Sequence, residues 1–223
     1  PDDLRRYQPR EREALCHPLR TGGRWVRVCG FPPPSSGGLA VGQILGLLSR
    51  TPQAIASLRQ GVPGADWLHA YTEASRLAFA DRALYVADPD FVPVPVAGLV
   101  APDYLAQRAA LIGERSLGIA QPGQPAGIQV AYAPDRSPLR ISTSQVVAVD
   151  DQGGAVSMTT TVEAAFGAHV MVQGFLLNNQ MTDFSFIPEE NGQKVANRVE
   201  PLKRPRSSMA PTLIFDRNSG EFV

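Results

Sequence analysis

Two threonines are the residues of this sequence whose types and spacing could support nucleophilic chemistry. Residues 143–150 form an alternating, β-prone run, a polar Asp-Asp-Gln-Gly-Gly turn follows, and residues 155–162 form a second such run. Two runs around a short turn that contains glycine predict a β-hairpin. If the turn is centred on Gln152, Thr161 lies opposite Thr143, and a slip of one residue still leaves them neighbours. Threonine is β-branched and common in strands, so the pattern alone also fits an ordinary hairpin.

Four segments, in order along the chain, resemble the small-subunit signature of the γ-glutamyltranspeptidases: TSQVVAVD, TTTVEAAFG, LLNNQMTDFS and KRPRSSMAPT. The resemblance continues upstream in FPPPSSGG and EASRLAFADRALYVADPDF, and so covers nearly the whole chain. It implies an α/β (α+β) fold, the four-layer αββα sandwich of the N-terminal-nucleophile hydrolases, with two antiparallel sheets between helical layers. It also implies an internal fragment, in which residues 1–142 belong to the end of a large subunit and residues 143–223 to the start of a small one.

Proteins of this family cut their own chain in front of a threonine, and the resemblance implies cleavage between Ser142 and Thr143. Chemistry gives a reason for the cut. A threonine hydroxyl is a poor nucleophile until a base takes its proton, and an N-terminal threonine carries its own base, an α-amine with a pKa of about 7.7 to 8.0. Before the cut, the same hydroxyl would attack the carbonyl of Ser142 and shift the acyl group from nitrogen to oxygen. The resemblance makes Thr161 a second catalytic threonine beside the nucleophile, in agreement with the hairpin register.

The same resemblance supplies the substrate-binding residues. Asp183 matches the acidic residue that holds the substrate α-amino group, and Gln180 matches a neighbouring contact. Ser207 and Ser208 match the pair that binds the substrate α-carboxylate. Without the resemblance, an aspartate after an amide-rich turn fits a turn or cap residue. Glu163 is a departure, because many family members have asparagine there, and its carboxylate would favour a substrate ammonium group.

The residues after the nucleophile, and the family elements that lie outside this chain, also depart from the family pattern. Ser144 and Gln145 follow the nucleophile, where Thr-His or Ala-His is commoner, and the family's upstream arginine and downstream Gly-Gly oxyanion hole lie outside this chain. Loss of oxyanion donors typically costs about 10²–10³ in rate, so we expect this fragment alone to be inactive. Lys203, Arg204 and Arg206 make the carboxylate-binding segment locally positive, and we expect at least two of them to be solvated surface charges.

The resemblance implies γ-glutamyl transfer from, or hydrolysis of, glutathione and related γ-glutamyl amides through an acyl-enzyme on Thr143. The partners would be a γ-glutamyl substrate, an amine, peptide or water acceptor, and the two subunits of one precursor. Glu163 keeps open a related amidase or acylase with another acyl group, such as glutaryl. The alternative from another class is a non-catalytic relative that serves in binding or assembly, in which the bond between residues 142 and 143 stays whole.

The elements that would position these residues are helices upstream and strands downstream. Helices are expected from Ser35–Gly38 onwards, after Thr51 and Pro52, from Asp66 to about Val86, and over residues 102–112. Residues 113–142 are rich in glycine and proline and have no periodicity, which predicts a pliable linker immediately before the nucleophile. A strand over residues 213–215, a turn at 216–220 and a returning strand are expected at the end of the sequence.

Two cysteines belong to another predicted hairpin. Cys16 and Cys29 flank Gly22 and Gly23, and counting outwards from that two-residue turn puts the cysteines opposite each other. Facing cysteines can form a disulfide, but two buried free thiols fit the pattern equally well. A disulfide would imply an oxidising compartment, which agrees with the periplasmic or secreted location that the resemblance implies, while the cytoplasm stays open.

Composition excludes several other classes of function. The 223 residues are 43% hydrophobic, enough for one domain to bury a core. The net charge is zero and the basic residues are dispersed, which argues against a nucleic-acid partner, and no apolar run approaches the length of a membrane span. His17, His69 and His169 do not pair at metal-ligand spacing. We therefore expect no metal and no cofactor.

Overall fold

The computed structural model describes residues 2–52, 58–59, 62–138 and 143–223. Its helices are α1 (Asp2–Arg6), α2 (Gly37–Leu48), α3 (Ala65–Tyr85), α4 (Val96–Leu99) and α5 (Pro102–Ala109), and a 3-10 turn covers Gln180–Asp183. Its strands are β1 (Leu15–Thr21), β2 (Arg24–Gly30), β3 (Leu58–Arg59), β4 (Val62–Pro63), β5 (Ser144–Val149), β6 (Ala155–Thr160), β7 (Met171–Val172), β8 (Phe175–Leu176), β9 (Glu189–Glu190), β10 (Gln193–Lys194) and β11 (Thr212–Asp216). These strands pair antiparallel, so the predicted mixture of helices and antiparallel sheets is confirmed. No helix in the described ranges is long and apolar enough to cross a bilayer.

The main sheet has the strand order β1-β2-β11. Strands β1 and β2 form the predicted hairpin around Gly22 and Gly23, whose φ angles are 57° and 79°, the positive values that a two-residue hairpin turn requires. The register pairs Cys16 with Cys29, and a disulfide joins the two side chains. Strand β11 pairs with β2, so residues 212–216 extend a sheet that the upstream half of the chain begins.

The helical layer packs closely on this sheet and on itself. Helix α2 contacts β1, β2 and α3, and a Cβ atom at Gly42 would overlap the ring of His17. The His17 ring is held in turn, because its Nε2 lies 3.0 Å from the carbonyl oxygen of Gly38. Helices α2, α3 and α5 bury an apolar core against one another, made of Leu47, Leu48, Ala70, Ala74, Leu77, Leu105, Ala109 and Ile112.

Helix boundaries differ from the predicted ones in detail. Helix α3 begins at Ala65 with Gly64 as its N-cap, so the predicted Asp66 cap is wrong. Asp66 lies in the first turn instead, where its carboxylate still favours the positive end of the helix dipole. Helix α5 ends at Ala109 rather than at residue 112. The helix predicted after Thr51 and Pro52 falls largely on residues 53–57, outside the described residues.

Residues 113–138 contain no helix or strand, and they donate hydrogen bonds to acidic side chains of helix α3. The Glu73 carboxylate is 1% exposed, and it accepts from the Ser116 hydroxyl at 2.8 Å and from the Leu117 amide at 2.7 Å. Asp81 accepts from the amide of Gly123 at 2.8 Å. Buried acidic side chains of α3 thus hold residues 116–123 in place. The predicted linker ended at residue 142, and its residues 139–142 lie outside the described ranges.

Candidate active site

The two candidate catalytic threonines lie at the open end of the β5–β6 hairpin. The register pairs Ser144 with Thr160 and Val149 with Ala155, which confirms a turn centred on residue 152. Continuing the register by one residue puts Thr143 opposite Thr161, just beyond the paired ends of the strands. Thr143 is exposed and Thr161 is half-buried. The bond in front of Thr143 involves Ser142, which is outside the described residues.

The 3-10 turn is attached to the end of strand β6. The Thr161 hydroxyl oxygen accepts from the Glu163 amide at 2.8 Å and from Gln180 Nε2 at 3.4 Å. The side-chain oxygen of Asn179 accepts from the Ala164 amide at 3.0 Å. These bonds bring the predicted contact residue Gln180 directly to the second threonine, although 19 residues separate the two in sequence.

Glu163 has two unusual features in this corner. Its φ angle is 72°, in the left-handed region, which costs of order 1–3 kcal/mol for a residue other than glycine. Its side chain is buried, and among the described residues its Oε2 atom has no hydrogen-bond partner. Buried carboxylate oxygens are normally satisfied, so this atom has an acceptor capacity that no described residue uses.

The remaining predicted binding residues border a buried polar cluster of Asp135, Asn197 and Arg206. Asp183 ends the 3-10 turn, and its carbonyl oxygen accepts from Asn197 Nδ2 at 2.8 Å. The same amide group donates to Asp135 Oδ2 at 3.1 Å, and Arg206 Nη2 donates to that oxygen at 2.9 Å. Asn197 Oδ1 accepts from the backbone amide of Arg206 at 3.0 Å. The cluster therefore joins the 3-10 turn to the segment that carries the predicted serine pair.

The serine pair itself is anchored by the N-terminal end of α2 and by the last turn of α3. The Ser36 amide and hydroxyl both donate to the carbonyl oxygen of Ser207 at 2.8 Å. Arg82 donates through Nε to the Ser36 hydroxyl and through Nη2 to the Ser208 hydroxyl, both at 2.7 Å. The Ser207 hydroxyl oxygen accepts from the Met209 amide at 3.0 Å. Ser208 is exposed while Arg82 is buried.

Two buried guanidinium groups set the electrostatics of the cluster. Burial and the charge of Arg206 lower the pKa of Arg82 to about 9, while Asp135 and Asp183 act to raise it. Burial also lowers the pKa of Arg206, against the opposing effect of Asp135. Burial raises the pKa of Asp135, but Arg206 and hydrogen bonds from Ser137 and Asn197 lower it more, so its pKa lies below the ordinary value.

The expectation of solvated basic residues is wrong for two of the three. Lys203 is buried and donates to the carbonyl oxygen of Ala196 at 2.7 Å and to Glu200 at 2.8 Å, and Arg206 is buried against Asp135. Charged side chains are rarely buried unless they are paired. The partner of Lys203 is three residues away, whereas that of Arg206 is 71 residues away. In the described ranges, no group of three His, Cys, Asp or Glu side chains could hold a metal ion.

Arg82, Asp135 and Asn197 were not among the predicted site residues. A signal for Arg82 is present in the helical pattern, because Ala70, Ala74, Ala78 and Arg82 follow one another at intervals of four and all four are buried. An arginine on the apolar stripe of a helix needs a polar partner. Nothing comparable marks Asp135 or Asn197, since each lies in a segment without regular structure.

Known proteins share the sequence pattern and the fold of this chain. A family model described as Gamma-glutamyltranspeptidase matches residues 1–223. The chain is 37% identical over 219 residues to the Glutathione hydrolase proenzyme of Pseudomonas sp. (strain A14), covering 95% of this chain and 35% of the relative. It is 36% identical over 213 residues to the Acylase ACY 1 proenzyme of Pseudomonas sp. (strain SE83), covering 95% of this chain and 34% of the relative. The crystal structure of cephalosporin acylase from Bacillus halodurans superposes with a TM-score of 0.73 at 25% identity, covering 97% of this chain and 34% of that chain. The chain thus spans about a third of the length of the relatives that it matches.

Proposed function

Since the chain belongs to the γ-glutamyltranspeptidase family, we propose that the complete protein transfers γ-glutamyl groups from glutathione and related γ-glutamyl amides, or hydrolyses those amides. Thr143 is the nucleophile of this proposal and Thr161 assists it. The observation that carries the assignment is the β5–β6 register, which sets the two threonines opposite each other. The hydrogen bond from Gln180 to Thr161 gives further support, because it joins a substrate-binding candidate to the catalytic pair.

The nucleophile is made by cleavage of the bond between Ser142 and Thr143. The Thr143 hydroxyl attacks the Ser142 carbonyl, the acyl group passes from nitrogen to oxygen, and water hydrolyses the resulting ester. The freed α-amine then serves as the base for the same hydroxyl, since its ordinary pKa of about 7.7 to 8.0 lies near working pH.

Each catalytic cycle has two steps on Thr143. In the first, its oxygen bonds to the γ-carbonyl carbon of the donor, the C–N bond breaks, and the leaving amine takes the proton that the α-amine had removed. In the second, an amine, a peptide or water gives a proton to the α-amine and attacks the carbonyl carbon of the ester. The ester C–O bond breaks, the γ-glutamyl product leaves, and the α-amine returns the proton to the Thr143 oxygen. No other group needs to be oxidised or reduced.

Donor recognition uses the charges of the substrate. Asp183 holds the α-ammonium group, and Ser207 and Ser208 donate hydrogen bonds to the α-carboxylate. Glu163 adds a second carboxylate, whose buried Oε2 atom has no partner among the described residues and is free to accept from the substrate ammonium. Two carboxylates near one ammonium would strengthen selection for donors that carry it.

The two subunits of the precursor would remain together after cleavage. Strand β11 of the proposed small subunit pairs with β2 of the proposed large subunit, and Arg206 forms a buried ion pair with Asp135 across the same division. The disulfide between Cys16 and Cys29 is compatible with the oxidising conditions of the periplasm or the cell exterior, the location that we propose.

A related acylase is the second candidate function. It is favoured by the 36% identity to the Acylase ACY 1 proenzyme. The two candidates separate in a turnover assay of the complete polypeptide with γ-glutamyl and glutaryl anilides, which differ only in the α-ammonium group. Preference for the γ-glutamyl anilide supports the transpeptidase, and preference for the glutaryl anilide supports the acylase.

Intact-mass spectrometry of the complete polypeptide tests the nucleophile. The wild type should give two pieces that meet at residues 142 and 143, and Thr143→Ala should give one uncut chain. Thr160→Ala is the matched control, because Thr160 is an exposed threonine of the same hairpin, and it should be cut as the wild type is. An uncut wild type after prolonged incubation, or a cut Thr143→Ala variant, would reject Thr143 and favour a non-catalytic role in binding or assembly.

A further inference from the structure

The most unusual charge in the described chain is that of Arg82, in the last turn of helix α3. The residue is 6% exposed, and among the described residues no carboxylate oxygen lies within ion-pair distance of it. The neighbouring Arg206 has such a partner, Asp135, at 2.9 Å. Burying a cation without an adjacent anion costs free energy, so an anion that binds next to Arg82 would be stabilised.

Hydroxyl groups hold Arg82 in place. Its Nε donates to the Ser36 hydroxyl and its Nη2 to the Ser208 hydroxyl, both at 2.7 Å, and its guanidinium carbon lies 5.4 Å from the centre of the Phe79 ring. Ser36 in turn donates to the carbonyl oxygen of Ser207. The orientation of Arg82 and the position of the serine pair are therefore coupled.

The bond to Arg82 also fixes what Ser208 can do. A hydroxyl group has one hydrogen to donate, and the Ser208 oxygen uses a lone pair to accept from Arg82. Among the described residues nothing accepts the hydrogen of Ser208, and the side chain is exposed. That hydrogen is available to an anion arriving from solvent, and the charge of Arg82 lies directly behind the hydroxyl group.

We propose that Arg82 is a positioning residue of the carboxylate subsite, acting through Ser208 and adding a positive charge behind it that favours acyl donors with an α-carboxylate. This inference rests on the proposed function, since it takes the Ser207–Ser208 segment as the place where the donor carboxylate binds. The low pKa of Arg82 agrees with it, because burial and the neighbouring charge of Arg206 disfavour the charged guanidinium. A bound carboxylate offsets both effects.

The experiment compares two anilide substrates on the complete polypeptide. γ-Glutamyl-p-nitroanilide has the α-carboxylate, and 4-aminobutyryl-p-nitroanilide lacks it but keeps the amino group. For Arg82→Gln we expect the KM for the γ-glutamyl substrate to rise about tenfold to 100-fold, the range of a hydrogen bond to a charged group, with kcat changed less than about threefold. The kcat/KM for the 4-aminobutyryl substrate should stay within about threefold of the wild-type value.

Two further variants separate positioning from general damage. The effects of Arg82→Gln and Ser208→Ala on KM should not add in the double variant, because neighbours that act as one unit are coupled. Arg76→Gln is the control, since Arg76 lies on the same helix with a side chain 42% exposed and does not contact the serines. It should leave both substrates unaffected. If Arg82→Gln fails to fold, Arg82→Lys replaces it and should still raise the KM for the γ-glutamyl substrate alone.

The outcomes distinguish this inference from the function on which it rests. A wild type that does not prefer the γ-glutamyl substrate to the 4-aminobutyryl substrate would overturn the proposed function. A wild type with that preference, together with Arg82 variants that lose both substrates equally or neither, would overturn the role of Arg82 and leave the proposed function intact. Additive effects of Arg82→Gln and Ser208→Ala would also reject action through Ser208.

Discussion

Replacing Asp135 with asparagine should weaken the fold more than any surface substitution nearby. The Asp135 side chain is buried, and its Oδ2 atom accepts from Arg206 at 2.9 Å and from Asn197 at 3.1 Å, while Oδ1 accepts from the Ser137 amide at 2.9 Å. Asparagine keeps the shape but removes the charge, so the Arg206 guanidinium stays buried without its counter-ion. Breaking a buried pair in this way costs about 3–5 kcal/mol in the free energy of unfolding.

Urea unfolding of the complete polypeptide measures this cost, and the next residue gives the control. Arg136 forms an ion pair with Glu190 at 3.3 Å, but its side chain is 72% exposed, so Arg136→Gln should cost less than about 1 kcal/mol. A double variant, Asp135→Leu with Arg206→Met, should recover much of the loss, because it removes both members of the buried ion pair. If Asp135→Asn costs no more than Arg136→Gln, the reasoning from burial is refuted.

The same pair predicts a pH dependence. Although burial raises the pKa of Asp135, the Arg206 charge and the hydrogen bonds from Ser137 and Asn197 lower it further, so the folded-state pKa lies below the unfolded one. A group of this kind stabilises the fold fully above its unfolded pKa, about 3.9, and its contribution is lost as the pH falls through the folded-state pKa. Stability of the wild type should therefore fall more steeply below about pH 4 than that of Asp135→Asn. Equal slopes would contradict the assignment.

Two further predictions concern the packing of the upstream half. Gly42→Ala should lower the free energy of unfolding, measured with urea, by about 1–3 kcal/mol, because the added methyl group overlaps the His17 ring. Gly113→Ala is the control, since nothing lies within 4 Å of the atom that it adds. Equal effects of the two substitutions would reject the clash. Replacing Cys16 and Cys29 together with alanine should cost about 3 kcal/mol, the value for a loop near 15 residues, given their separation of 13. Unchanged unfolding of that variant, or of the wild type under reducing conditions, would mean that the disulfide adds no stability.

The two hairpins were predictable because their information is local. A polar, glycine-containing turn between two β-prone runs fixes which residues face each other, and the register centred on residue 152 then follows by counting. The same counting pairs Cys16 with Cys29. Whether Thr143 acts as the nucleophile stays a prediction, since register brings hydroxyl groups together without assigning their chemistry.

The buried polar cluster was not predictable, because its bonds join residues far apart in sequence. Arg82 and Ser208 are separated by 126 positions and Asp135 and Arg206 by 71. The run of basic residues that contains Arg206 suggests a solvated surface, and only knowledge of its distant, buried partner Asp135 could reverse that expectation. Local sequence carries no information about such partners.

The positions of these long-range bonds explain how a cut chain could keep its site. The proposed cleavage point lies between residues 142 and 143, and the bonds from Arg82 to Ser208 and from Arg206 to Asp135 both connect opposite sides of it. Pairing of β11 with β2 crosses the same point. Cleavage at the proposed point would leave these contacts in place, because none of them depends on the bond between residues 142 and 143. The proposed nucleophile lies at the end of the β5–β6 hairpin, whereas the proposed carboxylate-binding serines are bonded to Ser36 and Arg82. The hairpin end can therefore rearrange on cleavage while the serine pair stays in place.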